Sequence, residues 1–74
     1  MTQALITFIK ERRKALGLSQ FDLADRAGVG IRFIRELEQG KQSLRLDKVN
    51  QVLALFGRRM EPVSFTIEVD NEES

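Results

Sequence analysis

Residues 16–41 read LGLSQFDLADRAGVGIRFIRELEQGK, and this stretch decides the fold. Ser19 stands where the N-cap of a helix belongs, because its hydroxyl can accept a hydrogen bond from a free backbone amide near Asp22. Asp22 also adds negative charge to the positive end of that helix, which is predicted over about residues 19–27. The break Gly28-Val29-Gly30 follows and is short enough to force a sharp reversal of the chain.

A third helix is predicted after the break, over about residues 30–39. Ile34 and Leu37 are its core positions, because they are three residues apart and so lie on one helical face. Gly40 ends this helix, since glycine readily adopts the left-handed conformation of a C-terminal cap. The stretch therefore predicts two short helices joined by a tight turn of three residues.

Flanking helices are predicted on both sides of this unit, over about residues 3–16 and 46–56, each followed by a glycine. In the first, second and fourth helices, the positions expected to face the core are Leu5, Ile9, Leu16, Leu23, Ala24, Ala27, Leu46, Val49, Leu53 and Phe56.

The hydrophobic period changes near the C-terminus. There the apolar residues Val63, Phe65, Ile67 and Val69 alternate with polar ones, which is typical of a half-buried strand headed by Pro62. The sequence predicts no second strand, so this one is expected to pair with the same strand of another chain. We therefore expect a helical domain over residues 1–59, a dimerisation strand over 60–70 and a disordered acidic tail over 71–74.

Composition narrows the classes of function. The chain has 74 residues, enough for one domain, and contains neither Cys nor His. Disulfides, thiolate metal sites and the commonest general base are thereby excluded, so we expect no enzyme, no metal and no cofactor. No uncharged run exceeds nine residues, and no basic region precedes an apolar one at the N-terminus. We expect a cytoplasmic protein with no membrane association.

Charge is divided unevenly along the chain. Residues 1–59 carry all 12 basic side chains against six acidic ones, a net charge of +6. Residues 60–74 carry five acidic and no basic side chains, a net charge of −5. This division indicates either a surface for a polyanion or an unevenly charged solvated surface, and charge alone does not separate the two.

Two short helices joined by a glycine-containing turn form the helix-turn-helix motif. The run from Leu16-Gly17-Leu18 to the turn glycine, followed by Leu37-Glu38-Gln39-Gly40-Lys41, strongly resembles the lambdoid repressor and Cro family over about residues 5–57. With residues 32–38 and the C-terminal strand included, the chain looks most like a HipB-type antitoxin. The resemblance implies a mostly α, four- to five-helix, lambda-repressor-like DNA-binding domain whose C-terminal strand pairs across a homodimer.

The third helix is the expected recognition helix, with Arg32 and Glu36 opposite its buried side. Arg32 suits a bidentate contact to guanine, and Arg35 a phosphate or a neighbouring base. Ile31 and Phe33 can pack on thymine methyl groups or sugars, although Phe33 can equally fill space against the second helix. Glu36 either accepts from a cytosine amino group or tethers Arg32 across one helical turn. The alternative for both arginines is that they are plain solvated charges.

Other residues are expected to contact phosphate. The resemblance implies a hydrogen bond from Gln20 to phosphate that also braces the recognition helix, with Ser19 adding to the same anion site. Lys41 and Arg45 are expected to touch the DNA backbone, which positions a protein without reading sequence. Arg13 and Glu38 are charges on inner helical faces, and they resemble the structural Arg–Glu pair of the family.

The predicted function is sequence-specific repression by a homodimer, with two recognition helices about 34 Å apart on a palindromic operator of double-stranded DNA. The HipB resemblance implies autorepression of a toxin–antitoxin operon and neutralisation of a HipA-type serine/threonine kinase toxin. One alternative is a phage-type or restriction-control regulator without a toxin. Another is a protein-interaction module that does not bind DNA. A weak or absent salt dependence of DNA binding would favour this alternative.

Overall fold

The structure is a computed structural model, and it describes residues 3–62 and 64. The described part contains four helices, α1 (Gln3–Ala15), α2 (Gln20–Ala27), α3 (Ile31–Glu38) and α4 (Leu46–Ala54). Each begins and ends within two residues of its predicted bounds. The prediction of a mostly helical fold is therefore confirmed.

The start of α2 carries the predicted cap in a reciprocal form. The Ser19 side chain accepts a hydrogen bond from the Asp22 amide at 3.0 Å, and the Asp22 carboxylate accepts one from the Ser19 amide at 3.0 Å. Two backbone donors that a helix start leaves unpaired are satisfied in this way. The start of α2 is therefore defined locally, by two residues three positions apart.

The turn between α2 and α3 depends on Gly28, which has a φ of 75°. Its amide donates to the carbonyl oxygens of Ala24 and Asp25, so the last turn of α2 closes with a left-handed residue. Only Val29 and Gly30 separate this residue from α3, and the predicted three-residue break is confirmed.

The core lies where α3 packs against α1 and α2, and where α4 packs against α2. Its fully buried side chains are Ile9, Leu23, Ile34, Leu37, Val49 and Val52. Phe8 and Phe56 meet edge to face at the side of the core, with ring centroids 6.0 Å apart. This packing buries one side of α3 and leaves the other side exposed to solvent.

Two predicted core positions are wrong. Leu16 is 54% exposed because α1 ends at Ala15 and Leu16 lies in the following turn, off the apolar face of the helix. Leu46 is also 54% exposed, since it is the first residue of α4 and Leu44 of the preceding loop packs against the core instead. Two buried residues were not predicted, Ile6 and Val52.

The predicted dimerisation strand falls almost wholly outside the described residues. Val63, Phe65, Ile67 and Val69 all lie there, so its pairing stays a prediction. None of the four described helices is both long enough and apolar enough to cross a membrane.

Candidate nucleic-acid interface

The face of α3 that points away from the core is strongly cationic. Ile34 and Leu37 are fully buried, whereas Arg32 and Arg35 are exposed, the Arg32 side chain to 90%. Arg35 forms no ion pair with any residue that the structure describes. Helical periodicity therefore separates a buried side of α3 from a side that presents guanidinium groups.

An open groove of about 460 Å³ lies between α3 and the segment that leads into α4. We refer to it as the α3 groove, and it is lined by Gly30, Arg32, Phe33, Glu36, Lys41, Ser43, Leu44, Arg45 and Lys48. The fold thus brings the predicted contact residues Arg32, Lys41 and Arg45 to one place. Four cations surround a single acidic side chain among the described residues that line it.

Three of the cations that line the α3 groove form ion pairs. Glu36 lies 3.5 Å from the Arg32 Nε and 3.3 Å from the Lys41 Nζ. Arg45 binds both oxygens of Asp47 at 3.1 and 2.6 Å. The Arg45 guanidinium lowers the pKa of Asp47, against a smaller opposing effect of burial. These pairs are exposed, so each contributes little to stability and can exchange for another anion.

The two apolar residues predicted at this surface are half-buried. Ile31 and Phe33 both pack against the hydrophobic core. Phe33 also lies under the ammonium group of Lys48, which is 6.0 Å from the ring centroid. Each side chain therefore fills space and stays partly exposed, and Phe33 also lines the α3 groove.

Behind this surface, Glu38 joins the start of α2 to the ends of α1 and α3. Its oxygens accept hydrogen bonds from the Arg13 Nε at 2.7 Å and the Arg13 Nη2 at 3.0 Å. Gln20 donates to the same carboxylate at 3.1 Å, and Arg13 also donates to the Leu18 carbonyl at 2.9 Å. Gln20 is thus tied to the far end of α3, the helix that the family resemblance implies it braces.

The charge of Glu38 is stabilised in place. Burial raises the pKa of Glu38, but hydrogen bonds from Arg13 and Gln20 and the positive charges of Arg13 and Lys10 outweigh it. The net result is a pKa below the ordinary value. Glu38 is therefore ionised at neutral pH in spite of being buried.

Ser19 is engaged in the cap of α2. The Ser19 backbone amide, and then its side chain, lower the pKa of Asp22 by hydrogen bonding. The Ser19 hydroxyl oxygen accepts from the Asp22 amide, so both the amide and the side chain of Ser19 have partners within the cap.

Sequence reasoning missed Lys48 and Ser43, which also line the α3 groove. Lys48 lies in the first turn of α4, fifteen positions after Phe33, and only the packing of α4 brings the two together.

Within residues 3–62 and 64, no group of three or more acidic side chains is arranged to hold a metal ion.

Comparison with known protein families identifies the same motif as the structure does. The helix-turn-helix family model matches residues 9–63, which is more than half of the chain. This chain belongs to the helix-turn-helix family. The predicted resemblance to lambdoid repressors and Cro, whose helix-turn-helix type this is, is thereby confirmed.

Two relatives within this helix-turn-helix group carry regulatory names. An uncharacterized HTH-type transcriptional regulator, y4mF, of Sinorhizobium fredii is 51% identical over 45 residues. That match covers 61% of this chain and 59% of the relative. An uncharacterized HTH-type transcriptional regulator of Methanothermobacter thermautotrophicus is 38% identical over 64 residues, 86% of this chain and 93% of the relative.

Proposed function

We propose that this chain is a sequence-specific DNA-binding repressor of transcription that acts as a homodimer on a palindromic operator. The observation that carries the proposal is the outer face of α3. Exposed arginines lie on this face, and the opposite face of the same helix is buried. A helix held in this way can enter the major groove without disturbing the core. Membership of the helix-turn-helix family and the names of both relatives support it.

In this proposal the residues of α3 read base edges. Arg32 makes a bidentate contact to guanine, and Arg35 reaches a phosphate or a neighbouring base. Ile31 and Phe33 offer their remaining exposed surface to thymine methyl groups or sugars. The high exposure of Arg32 favours its role, because the side chain keeps the freedom to extend toward a base.

Phosphate contacts frame α3 on two sides. Gln20 and Ser19 act at the start of α2, where backbone amides and the helix dipole favour an anion. Lys41 and Arg45 act at the α3 groove, where phosphate replaces the carboxylates of Glu36 and Asp47. Lys48 joins them because it lines the same groove. These contacts set orientation and affinity and carry no sequence information.

Two variants test the proposal against a duplex that the parent protein selects from a random pool and a duplex of the same composition in shuffled order. Arg32→Ala should weaken binding to the selected duplex by roughly 1–3 kcal/mol and relax the preference at one base position. Lys41→Ala should weaken binding to both duplexes about equally and lower the salt dependence of affinity.

Titrations at several salt concentrations provide the measurement. Equal binding of parent and Arg32→Ala to both duplexes would show that α3 is not the recognition helix. The parent protein could instead select no sequence, or bind DNA weakly with an affinity that does not depend on salt. Either result would indicate a protein-interaction module.

We further propose that the repressor is the HipB-type antitoxin of a toxin–antitoxin system, which represses its own operon and neutralises a HipA-type serine/threonine kinase toxin. This assignment rests on the resemblance of residues 32–38 and of the C-terminal pattern. It places the protein in the cytoplasm, with no catalytic activity and no cofactor of its own.

Co-expression with the product of the neighbouring gene tests the antitoxin assignment. A toxic kinase whose effect this chain suppresses, and which co-purifies with it, is the expected result. A neighbouring gene without toxicity would leave a phage-type or restriction-control regulator, with the repressor function intact.

A further inference from the structure

Glu36 occupies an unusual position for an acidic residue. Its side chain is 30% exposed and lies within the α3 groove, on the helix proposed to read DNA. One carboxylate oxygen faces Arg32 at 3.5 Å, and the other faces Lys41 at 3.3 Å. Arg32 comes from α3 itself, whereas Lys41 comes from the segment that follows the helix. One carboxylate therefore holds a cation proposed to read a base and a cation proposed to bind phosphate.

This arrangement opposes contact with any polyanion. A phosphate that approaches Lys41 must displace Glu36, and it meets the negative charge of that carboxylate at short range. Binding that depends on phosphate contacts alone is then weaker than the four cations of the α3 groove would otherwise support. The penalty falls on every sequence unless some base compensates the carboxylate.

We propose that Glu36 determines specificity by penalising unmatched DNA and accepting a hydrogen bond from the N4 amino group of cytosine at the matched position. The proposal rests on the proposed function, because it requires α3 to lie in the major groove. Cytosine suits a carboxylate there, since it presents a donor and no acceptor. Adenine sets its amino group beside the N7 acceptor, which repels a second acceptor.

At the matched site, the contact with cytosine frees Arg32 for guanine. At an unmatched site, Glu36 loses water without gaining a donor, or keeps Arg32 away from the base. The difference between these two states adds to discrimination, because specificity arises from a penalty on the wrong partner as well as from attraction to the right one.

Glu36→Gln removes the charge and keeps the shape of the side chain. We expect its affinity for a shuffled duplex to rise roughly threefold to tenfold, which corresponds to the loss of two exposed ion pairs. Affinity for the duplex that the parent selects from a random pool should rise less or fall, so the specificity ratio shrinks. The slope of log affinity against log salt should steepen by about one.

A second selection with the variant reads the base contact directly. Preference at one position should shift from cytosine toward adenine, because glutamine matches the N6 and N7 groups of adenine. Glu11→Gln is the matched control, since Glu11 is exposed on α1 outside the α3 groove and its change alters net charge equally. It should leave the ratio of the two affinities unchanged.

Three results would overturn the inference. Equal salt slopes and equal binding of shuffled DNA by parent and Glu36→Gln, with the parent still selective, would contradict it and leave the proposed function standing. If Glu11→Gln changed the two affinities as much as Glu36→Gln does, the effect would come from net charge and not from the position of Glu36. A parent that selects no sequence at all would remove the proposed function and this inference together.

Discussion

Burying a carboxylate in a small domain costs several kcal/mol unless its oxygens find partners. Only 3% of the Glu38 side chain is exposed, yet three donor groups on Arg13 and Gln20 point at its two oxygens. The planar guanidinium of Arg13 suits this role because two parallel N–H groups meet the two oxygens. Charge at these two positions is thus part of the architecture of the domain.

Removal of one partner of this pair should be strongly destabilising. Arg13→Met or Glu38→Met leaves the other charge uncompensated, and we expect a loss of about 3 kcal/mol in the free energy of unfolding for each. The double variant should lose clearly less than both losses together, because it leaves no unpaired charge. Denaturant unfolding of the parent and the three variants measures this coupling. Strictly additive losses would contradict an energetic pairing of Arg13 with Glu38.

The pKa of Glu38 also predicts a dependence of stability on pH. Its pKa in the folded protein is below the ordinary value of 4.5 that applies to the unfolded chain. The resulting stabilisation is complete above pH 4.5 and is lost as pH falls through the folded pKa, because protonation then favours the unfolded state. Asp22 and Asp47, whose pKa values are also lowered, act in the same direction.

Glu38→Gln separates the contribution of Glu38 from theirs. Its free energy of unfolding should fall less steeply than that of the parent as the pH is lowered below 4.5. Urea unfolding across a series of pH values measures the two slopes. Parallel curves for parent and variant would mean that Glu38 does not contribute to the pH dependence of the free energy of unfolding.

At the scale of elements, the α2–turn–α3 unit depends on one backbone conformation. Gly28 has a φ of 75°, and a Cβ added there would meet the nearest side-chain atom, the Gln51 Nε2, at an ordinary 3.6 Å. The cost of Gly28→Ala is therefore backbone strain and not collision. We expect a loss of about 1–2 kcal/mol in the free energy of unfolding, since left-handed backbone is unfavourable for L side chains by this amount.

Gly30→Ala is the matched control two residues away. Gly30 has a φ of −75°, and a Cβ there would meet no atom within 4 Å. Lower entropy of the unfolded chain and a poorer N-cap act in opposite directions, so the stability should change little. Thermal unfolding compares the two variants, and equal melting temperatures for both would show that the turn does not require a left-handed residue.

At the scale of the whole molecule, charge and apolar pattern divide the chain into two parts. The cations lie in residues 1–59, and those of the α3 groove face one side of α3. The five acidic residues of 60–74 accompany the alternating apolar positions at the C-terminus. A dimer paired through that segment would place the acidic residues away from DNA and hold two recognition helices at a fixed spacing.

The alternation itself supplies a paired test of dimerisation in the full chain. Phe65→Asp places a charge at an apolar position of the pattern and should produce a monomer with much weaker binding to the selected duplex. Thr66→Asp places the same charge at a polar position and should leave the dimer intact. Sedimentation of both variants gives the result. A tight dimer of Phe65→Asp would show that the interface lies elsewhere.

Local sequence by itself determined the four helices, the three-residue turn and the family. Hydrophobic spacing and capping residues act over one or two helical turns, so the cap at Ser19 and the break at Gly28 could be predicted from neighbouring residues alone. The outward position of Arg32 follows from the same periodicity, because Ile34 and Leu37 define the opposite side of α3.

Tertiary packing decided which residues are buried and which residues of different helices come into contact. Periodicity placed Leu16 and Leu46 in the core, but both are exposed because the helices end or begin at those positions and the packed surfaces do not reach them. Lys48 joins the α3 groove because α4 packs against α2, and Gln20 meets Glu38 from 18 positions away along the chain. Such contacts depend on how helices are oriented around a shared core, and no local pattern encodes the distance between residues on different helices.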